Sequence, residues 1–279
     1  MAGVSNSVGA EGTTRDPILC EQNGRIGWVT INRPPLNILN ISAFDRLAST
    51  LASVTSGGQV DIVVIRSAGE RAFSAGADVA EHLPGRAPLM LEAFHRVARF
   101  LSSMDAVSVA AVRGLALGGG MELALCCDIV VAAEDAQFGQ PEIRVGAFPP
   151  IAAALLPGLV GRHHAADIVL TGRKISAFEA LALGLVSRLA PPSEFDSELL
   201  GVVAQLGENS GPVMKQAVRA LRGARAAGFS DALAATEKIY LNDLLALDDA
   251  REGVEAFLEK RKPRWQAPNQ GRPKETPHR

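Results

Sequence analysis

The sequence predicts an α/β fold. Three observations carry that prediction: short apolar, β-branched runs, stretches between them with apolar residues at helical spacing, and glycines or prolines where one pattern gives way to the other. The strongest strand signal is "VDIVVIRS" (60–67), nearly continuous in β-branched residues, as in a strand buried on both faces. "GRIGWVTINRPP" (24–35) has a β-rich core from Ile26 to Ile31, which Pro34 and Pro35 stop. "AVSVAAVRG" (106–114) reads as another buried strand ended by Gly114, and "DIVVAAEDAQFG" (128–139) as a further one. "LVSRLAP" (185–191) is short and strand-like.

Helical patterns fill the gaps. In 42–54, Phe44, Leu47, Leu51 and Val54 share one face, with Ser42 as the expected N-cap. Residues 87–104 read as a helix. Residues 164–172 and 176–184 do too, with Gly172 and Gly184 as C-terminal stops and Ser176 with Glu179 as a capping box. From about residue 193 to 262 the pattern is almost wholly helical. Residues 1–16 are small and polar, and 266–279 are rich in proline, glycine and charge; both are expected to be disordered tails. The organisation expected is therefore a core over 17–192, a helical region over 193–265, and a tail at each end.

The 279 residues suffice for one large domain or a domain with an appendage. With 28 basic against 30 acidic residues, no global basic field argues for nucleic acid. Cys20, Cys126 and Cys127 form neither a disulfide framework nor a metal-binding spacing, so no metal is expected and a reducing compartment fits. The N-terminus lacks the layout of a secretory signal, and no apolar run has the length of a membrane span. A soluble, cytoplasmic protein is expected. The locally basic stretch Lys260-Arg261-Lys262-Pro263-Arg264 reads as a solvated tail or as an anion contact.

The chemistry concentrates in "GLALGGGMELALCCDIVVAAEDAQFGQPEIRVG" (114–146). Gly118, Gly119 and Gly120 lie between a strand and a helix, where backbone amides can face an anion or a polarised carbonyl, or where a helix simply packs close to a strand. No Lys-Ser/Thr follows and the spacing is not that of a dinucleotide loop. A second small-residue turn, "ERAFSAGADVAEHL" (70–83), also follows a buried strand, with Gly76 and Ala77 at its tip. One N–H from each turn makes an oxyanion hole, able to stabilise an enolate oxygen on a thioester. Glu122, three residues after Gly119, shares its helix face. It is either a helix-start glutamate favoured by the macrodipole or, among apolar neighbours, a partly buried carboxyl with a shifted pKa. Glu142 follows Gln140-Pro141 in a loop and is either solvated or the second member of an acid–base pair.

On these residues the sequence resembles the enoyl-CoA hydratase/isomerase, or crotonase, family. The matching segments are "FSAGAD" (73–78), 114–146, "LTGRKISAFEALALGLVSRL" (170–189) and "EGVEAFLEKRKPRW" (252–265), in unbroken order from about Pro17 to Trp265. The resemblance implies a spiral of repeated ββα units followed by a helical C-terminal region used in trimerisation, giving a homotrimer or homohexamer. It implies oxyanion-hole amides at Ala77 and Gly119 and an acid–base pair at Glu122 and Glu142. Around them it implies substrate or CoA contacts from Ala75, Gly76, Asp78, Gly118, Phe257 and Lys260. CoA would be part of the substrate, with no separate cofactor.

Retention of both glutamates favours hydration of an α,β-unsaturated acyl-CoA over double-bond isomerisation, for which one glutamate suffices, and over non-catalytic acyl-CoA binding. One departure stands out. After Glu142, where many simple hydratases carry paired glycines, the chain reads "VGAFPPIAAALLPGLVG" (145–161). That segment is expected to line the acyl pocket, with Phe148 a pocket residue. With 33–47 and 77–101 it resembles cyclohexa-1,5-diene-1-carbonyl-CoA hydratases. His82 is expected on a surface loop.

Overall fold

The computed structural model describes residues 16–83, 85–223, 243, 246–249, 252, 256 and 259–266. Two sheets organise the chain. β1 (Ile18–Asn23) and β2 (Ile26–Ile31) form an antiparallel hairpin, and β2 then begins a parallel run. The run continues through β3 (Ile62–Ser67), β5 (Val107–Val112), β7 (Ile129–Ala133) and β10 (Arg188–Ala190). The smaller sheet has four strands in the order β4 (Ala72–Ser74), β6 (Leu115–Leu117), β8 (Gln137–Gly139) and β9 (Lys174–Ser176). Its first three are parallel and β9 is antiparallel.

The expected ββα repeat is visible in this order. β3 and β4 lead to α2 (Ala87–Ser103), β5 and β6 to α3 (Gly119–Leu125), and β7 and β8 to α4 (Pro150–Thr171). Each unit puts one strand in each sheet before its helix. The segment 106–114 holds one strand, β5, ended before Gly114 as expected, whereas 128–139, expected as a single strand, is broken into β7 and β8. At Gly114 the backbone passes so close to Arg71 that a Cβ would stand 2.3 Å from the Arg71 carbonyl oxygen. Only glycine permits the chain to change sheets there.

The large sheet is buried on both faces, as its apolar runs require. Val63 and Ile65 point into one core, against α1 (Ile41–Ser56) and α2, where the Phe44 and Phe94 rings stack 4.6 Å apart. Ile62 and Val64 point into the other, against α6 (Phe195–Gly207) and α7 (Gly211–Gly223). Ionic contacts tie these last helices down. Buried Asp61 pairs with Lys215 of α7 and with Arg25, which donates to the Gly207 and Asn209 carbonyls. These two helices fall in the expected helical region; most of its remainder, and nearly all of both tails, lie outside the described residues.

Three local expectations change. The N-cap of α1 is Asn40, not Ser42: the Asn40 side chain accepts from the Ala43 N–H, and Ser42 donates to Asn40. Asn40→Ala is expected to cost about 1 kcal/mol by denaturant titration, and Ser42→Ala much less. Secondly, α4 begins at Pro150 and runs through most of the segment expected as pocket lining, interrupted only at Gly161. Thirdly, Ser176 caps α5 (Ala177–Ala182) by accepting from the Glu179 N–H, but the Glu179 carboxylate pairs with Arg173 and leaves the box half made.

Candidate active site

Because β4, β6 and β8 are parallel neighbours, their carboxyl ends meet at one edge of the small sheet. The turns that follow them surround a cavity of about 540 Å³. Ala75, Gly76 and Ala77 come from the first turn, Gly118, Gly119 and Glu122 from the second, and Pro141 and Glu142 from the third. Met90 and Phe94 of α2 close one side, and Phe148 to Pro150 the other.

The two turns expected to donate amides come together. Leu39 forms a parallel bridge with Ala77, donating to the Gly76 carbonyl and accepting from the Asp78 N–H, both at 2.9 Å. In such a bridge the opposed residue turns its own N–H away from its neighbour, so Ala77 presents its amide outward. Gly119 opens α3, where first-turn amides have no acceptor within the helix. A Cβ on Gly119 would stand 3.4 Å from the Ala77 nitrogen and 3.2 Å from the Phe94 ring, so the two backbones are neighbours under that ring. Gly118 makes the approach possible: its φ of +52° and ψ of −126° suit glycine alone, and its own N–H donates to the Gly139 carbonyl. Gly120 is equally constrained by space, since a Cβ there would stand 2.1 Å from the Ser74 carbonyl oxygen.

Both glutamates reach this cavity. Glu122 is only 3% exposed, and its Oε1 accepts from the Ala152 N–H of α4 at 2.9 Å. Burial pushes its carboxyl up to about 7, against the backbone hydrogen bond from Ala152 and with help from the Glu142 charge. Burial also pushes Glu142 up to about 7. Its carboxylate lies over the Gly118 backbone, where a Cβ would stand 2.5 Å from Oε1. Gln140 holds it there. Fully buried, and with its amide turned to match its neighbours, Gln140 donates from Nε2 to Glu142 Oε2 at 3.2 Å and to Oε1 at 3.3 Å. Sequence reasoning passed over Gln140; its place two residues before a candidate acid–base group was the available signal.

The other expected contacts divide. Ala75, Gly76, Gly118 and Phe148 line the cavity, Phe148 with most of its ring in solvent. Asp78 caps the 3-10 turn Val79–His82 by accepting from the Ala80 N–H, and is off the cavity wall. Lys260 is exposed and is not part of that wall, and Phe257 lies outside the described residues. His82, expected on a surface loop, lines the cavity instead, because the 3-10 turn folds inward and sets its Nδ1 3.2 Å from the Asp78 carbonyl oxygen. Among the described residues no group of His, Cys, Asp and Glu is placed to hold a metal ion, and no helix is long and apolar enough to cross a membrane.

Comparison with known proteins places this geometry. A family model described as enoyl-CoA hydratase/isomerase matches residues 21–268. A probable enoyl-CoA hydratase of Rhizobium meliloti is 36% identical over 88% of this chain and 96% of its own. The cyclohexa-1,5-dienecarbonyl-CoA hydratase of Thauera aromatica is 35% identical over 88% and 95%. Among solved structures, an enoyl-CoA hydratase subunit from Geobacillus kaustophilus superposes with a TM-score of 0.84 at 34% identity, covering 90% of this chain and 98% of that one. The fold, the family model and these relatives agree: the chain belongs to the enoyl-CoA hydratase/isomerase family.

Proposed function

We propose that this hydratase-type enzyme adds water across the double bond of an α,β-unsaturated acyl-CoA. The observation that carries the reading is the meeting of a buried and a half-buried carboxyl, each raised to about 7, with the backbones of Ala77 and Gly119 on one cavity. The Ala77 and Gly119 N–H groups hold the thioester oxygen and draw electron density toward it. Water adds through its oxygen to Cβ, the π electrons move toward the carbonyl, and the resulting enolate is stabilised by the two amides. One glutamate takes the proton that water loses, and the other delivers a proton to Cα. CoA enters and leaves as part of the substrate, and no resident cofactor takes part in this scheme.

For the acyl group, the finer reading is a cyclic dienoyl-CoA. It is supported by the wall of Phe148, Pro149 and Pro150 and by the relative from Thauera aromatica. Assembly into a homotrimer or homohexamer belongs to the same reading, supported by the exposed Leu170, Phe178 and Leu221. A turnover screen with crotonyl-CoA, longer enoyl-CoAs and cyclohexa-1,5-diene-1-carbonyl-CoA tests it, with a 3-enoyl-CoA included to detect isomerisation. Loss of 2-enoyl absorbance with a hydroxyacyl product is expected. A strong preference for crotonyl-CoA would sink the cyclic reading, and turnover of the 3-enoyl-CoA alone would sink hydration.

A further inference from the structure

Beside the main cavity is a second, of about 290 Å³, lined among others by His95, Arg99, Ser102, Cys126, Ile151 and Leu155. The same helices build both. On α2, Leu91 and Phe94 face the main cavity, while His95 and Arg99 face the second. Glu122 of α3 faces the main cavity, and Cys126, one turn further on, faces the second. At the start of α4, Pro150 lies on both. The second cavity therefore adjoins the first across Pro150, and Cys126 lies roughly 6 Å beyond Glu122 by the rise of one helical turn.

Its chemistry differs from that of the main cavity. Among the described residues no carboxylate lines it. The Nε2 of His95 is buried and has no hydrogen-bond partner among the described residues. Burial, and then the charge of Arg99, lower the His95 pKa, so the imidazole is neutral near pH 7 and one ring nitrogen still carries a proton. The Ser102 hydroxyl already donates to the Arg99 carbonyl. Around these groups the walls are alanine, isoleucine, leucine and proline. Apolar walls beside a guanidinium and an unpartnered imidazole fit an apolar chain with an anion at its tip, since a charged acceptor pairs best with such donors.

We propose that the second cavity receives the distal end of the acyl group and selects linear chains that end in a carboxylate. The inference rests on the main cavity being the acyl-CoA site. It competes with the cyclic reading for the identity of the acyl group, and the two favour different substrates.

Calorimetric titration of the full chain with two saturated acyl-CoAs of roughly eight carbons, one ending in methyl and one in carboxylate, tests the proposal. The carboxylate-ended ligand is expected to bind roughly tenfold more tightly or better. Arg99→Ala should bring the two affinities together and Arg99→Glu should reverse their order; both changes sit at an exposed helix position. His95→Phe should weaken the preference while leaving the methyl-ended ligand bound. Equal affinities in the unmodified chain, or a preference that survives both Arg99 variants, overturn the inference and leave the hydratase reading standing. Failure to bind either ligand, or butyryl-CoA, overturns both.

Discussion

Glu122→Gln is expected to lower kcat for hydration by about two to four orders of magnitude while acyl-CoA binding persists. The amide oxygen can still accept from the Ala152 N–H, so the change removes a proton-transfer group and little else. The same substitution should stabilise the fold. The Glu122 carboxyl goes from about 4.5 when unfolded to about 7 when folded, so the native state holds its proton more tightly. Its penalty is absent below pH 4.5, grows as pH rises, and is complete above about 7. At pH 8, Glu122→Gln should therefore gain stability on the order of 3 kcal/mol, and at pH 4 almost none. Denaturant titration at the two pH values checks the sign.

Activity has a matching dependence. The proposed mechanism needs one carboxyl protonated and the other ionised, so kcat/KM should peak near neutrality with limbs that belong to the coupled pair. The variant should lose that shape. Full activity in Glu122→Gln would remove the residue from the mechanism, and Glu142→Gln is read the same way.

Gly120→Ala is expected to lower kcat by about two to three orders of magnitude although it touches neither glutamate. The new methyl would stand 2.1 Å from the Ser74 carbonyl oxygen, so α3 and the end of β4 must separate. Ser74 has little freedom to yield, being fully buried, donating to the Asn37 carbonyl and accepting from the Gly76 N–H. The separation parts the Ala77 and Gly119 amides, which in the proposed mechanism close on one oxygen atom. Overpacking of this kind should also cost about 1–3 kcal/mol of stability. Gly201→Ala, on an exposed turn of α6 with open space around it, is the control and should leave kcat unchanged. A folded Gly120→Ala enzyme with ordinary kcat would show that the spacing of the two amides is not limiting.

The longer elements were legible because their periodicity persists over several residues. β2, β3 and β5 announce themselves as apolar runs, and α1 and α2 as faces. Three-residue strands such as β4, β6 and β8 offer no period at all. They formed no separate element in the sequence reading, although their parallel pairing is what brings the three turns together. The C-terminal part of α4 was legible as a helix over 164–172, but its first half was hidden because prolines and glycines punctuate it and Pro150 sits in its first turn, where proline is tolerated. At the site, two small-residue turns after buried strands suggested two donors, and apolar neighbours hinted at a perturbed Glu122. Their convergence with Glu142 came from family resemblance rather than spacing. Gln140 stayed hidden because a glutamine beside a proline carries no local mark of burial, and His82 because the inward fold of its turn depends on contacts distant in sequence.

The bridge between Leu39 and Ala77 has a consequence for how such a site can change. The direction of the Ala77 amide is set by main-chain pairing, and that of Gly119 by its place at a helix start. No exchange of side chain other than for proline deletes either group, provided the backbone keeps its path. Glu122 and Glu142 are ordinary side chains, replaceable by single substitutions. In the proposed mechanism the apparatus that polarises a thioester is thus set by the architecture, whereas the proton traffic rests on two replaceable side chains. On that reading, substitutions at Glu122 or Glu142 would alter the reaction while leaving the hold on an activated acyl group in place.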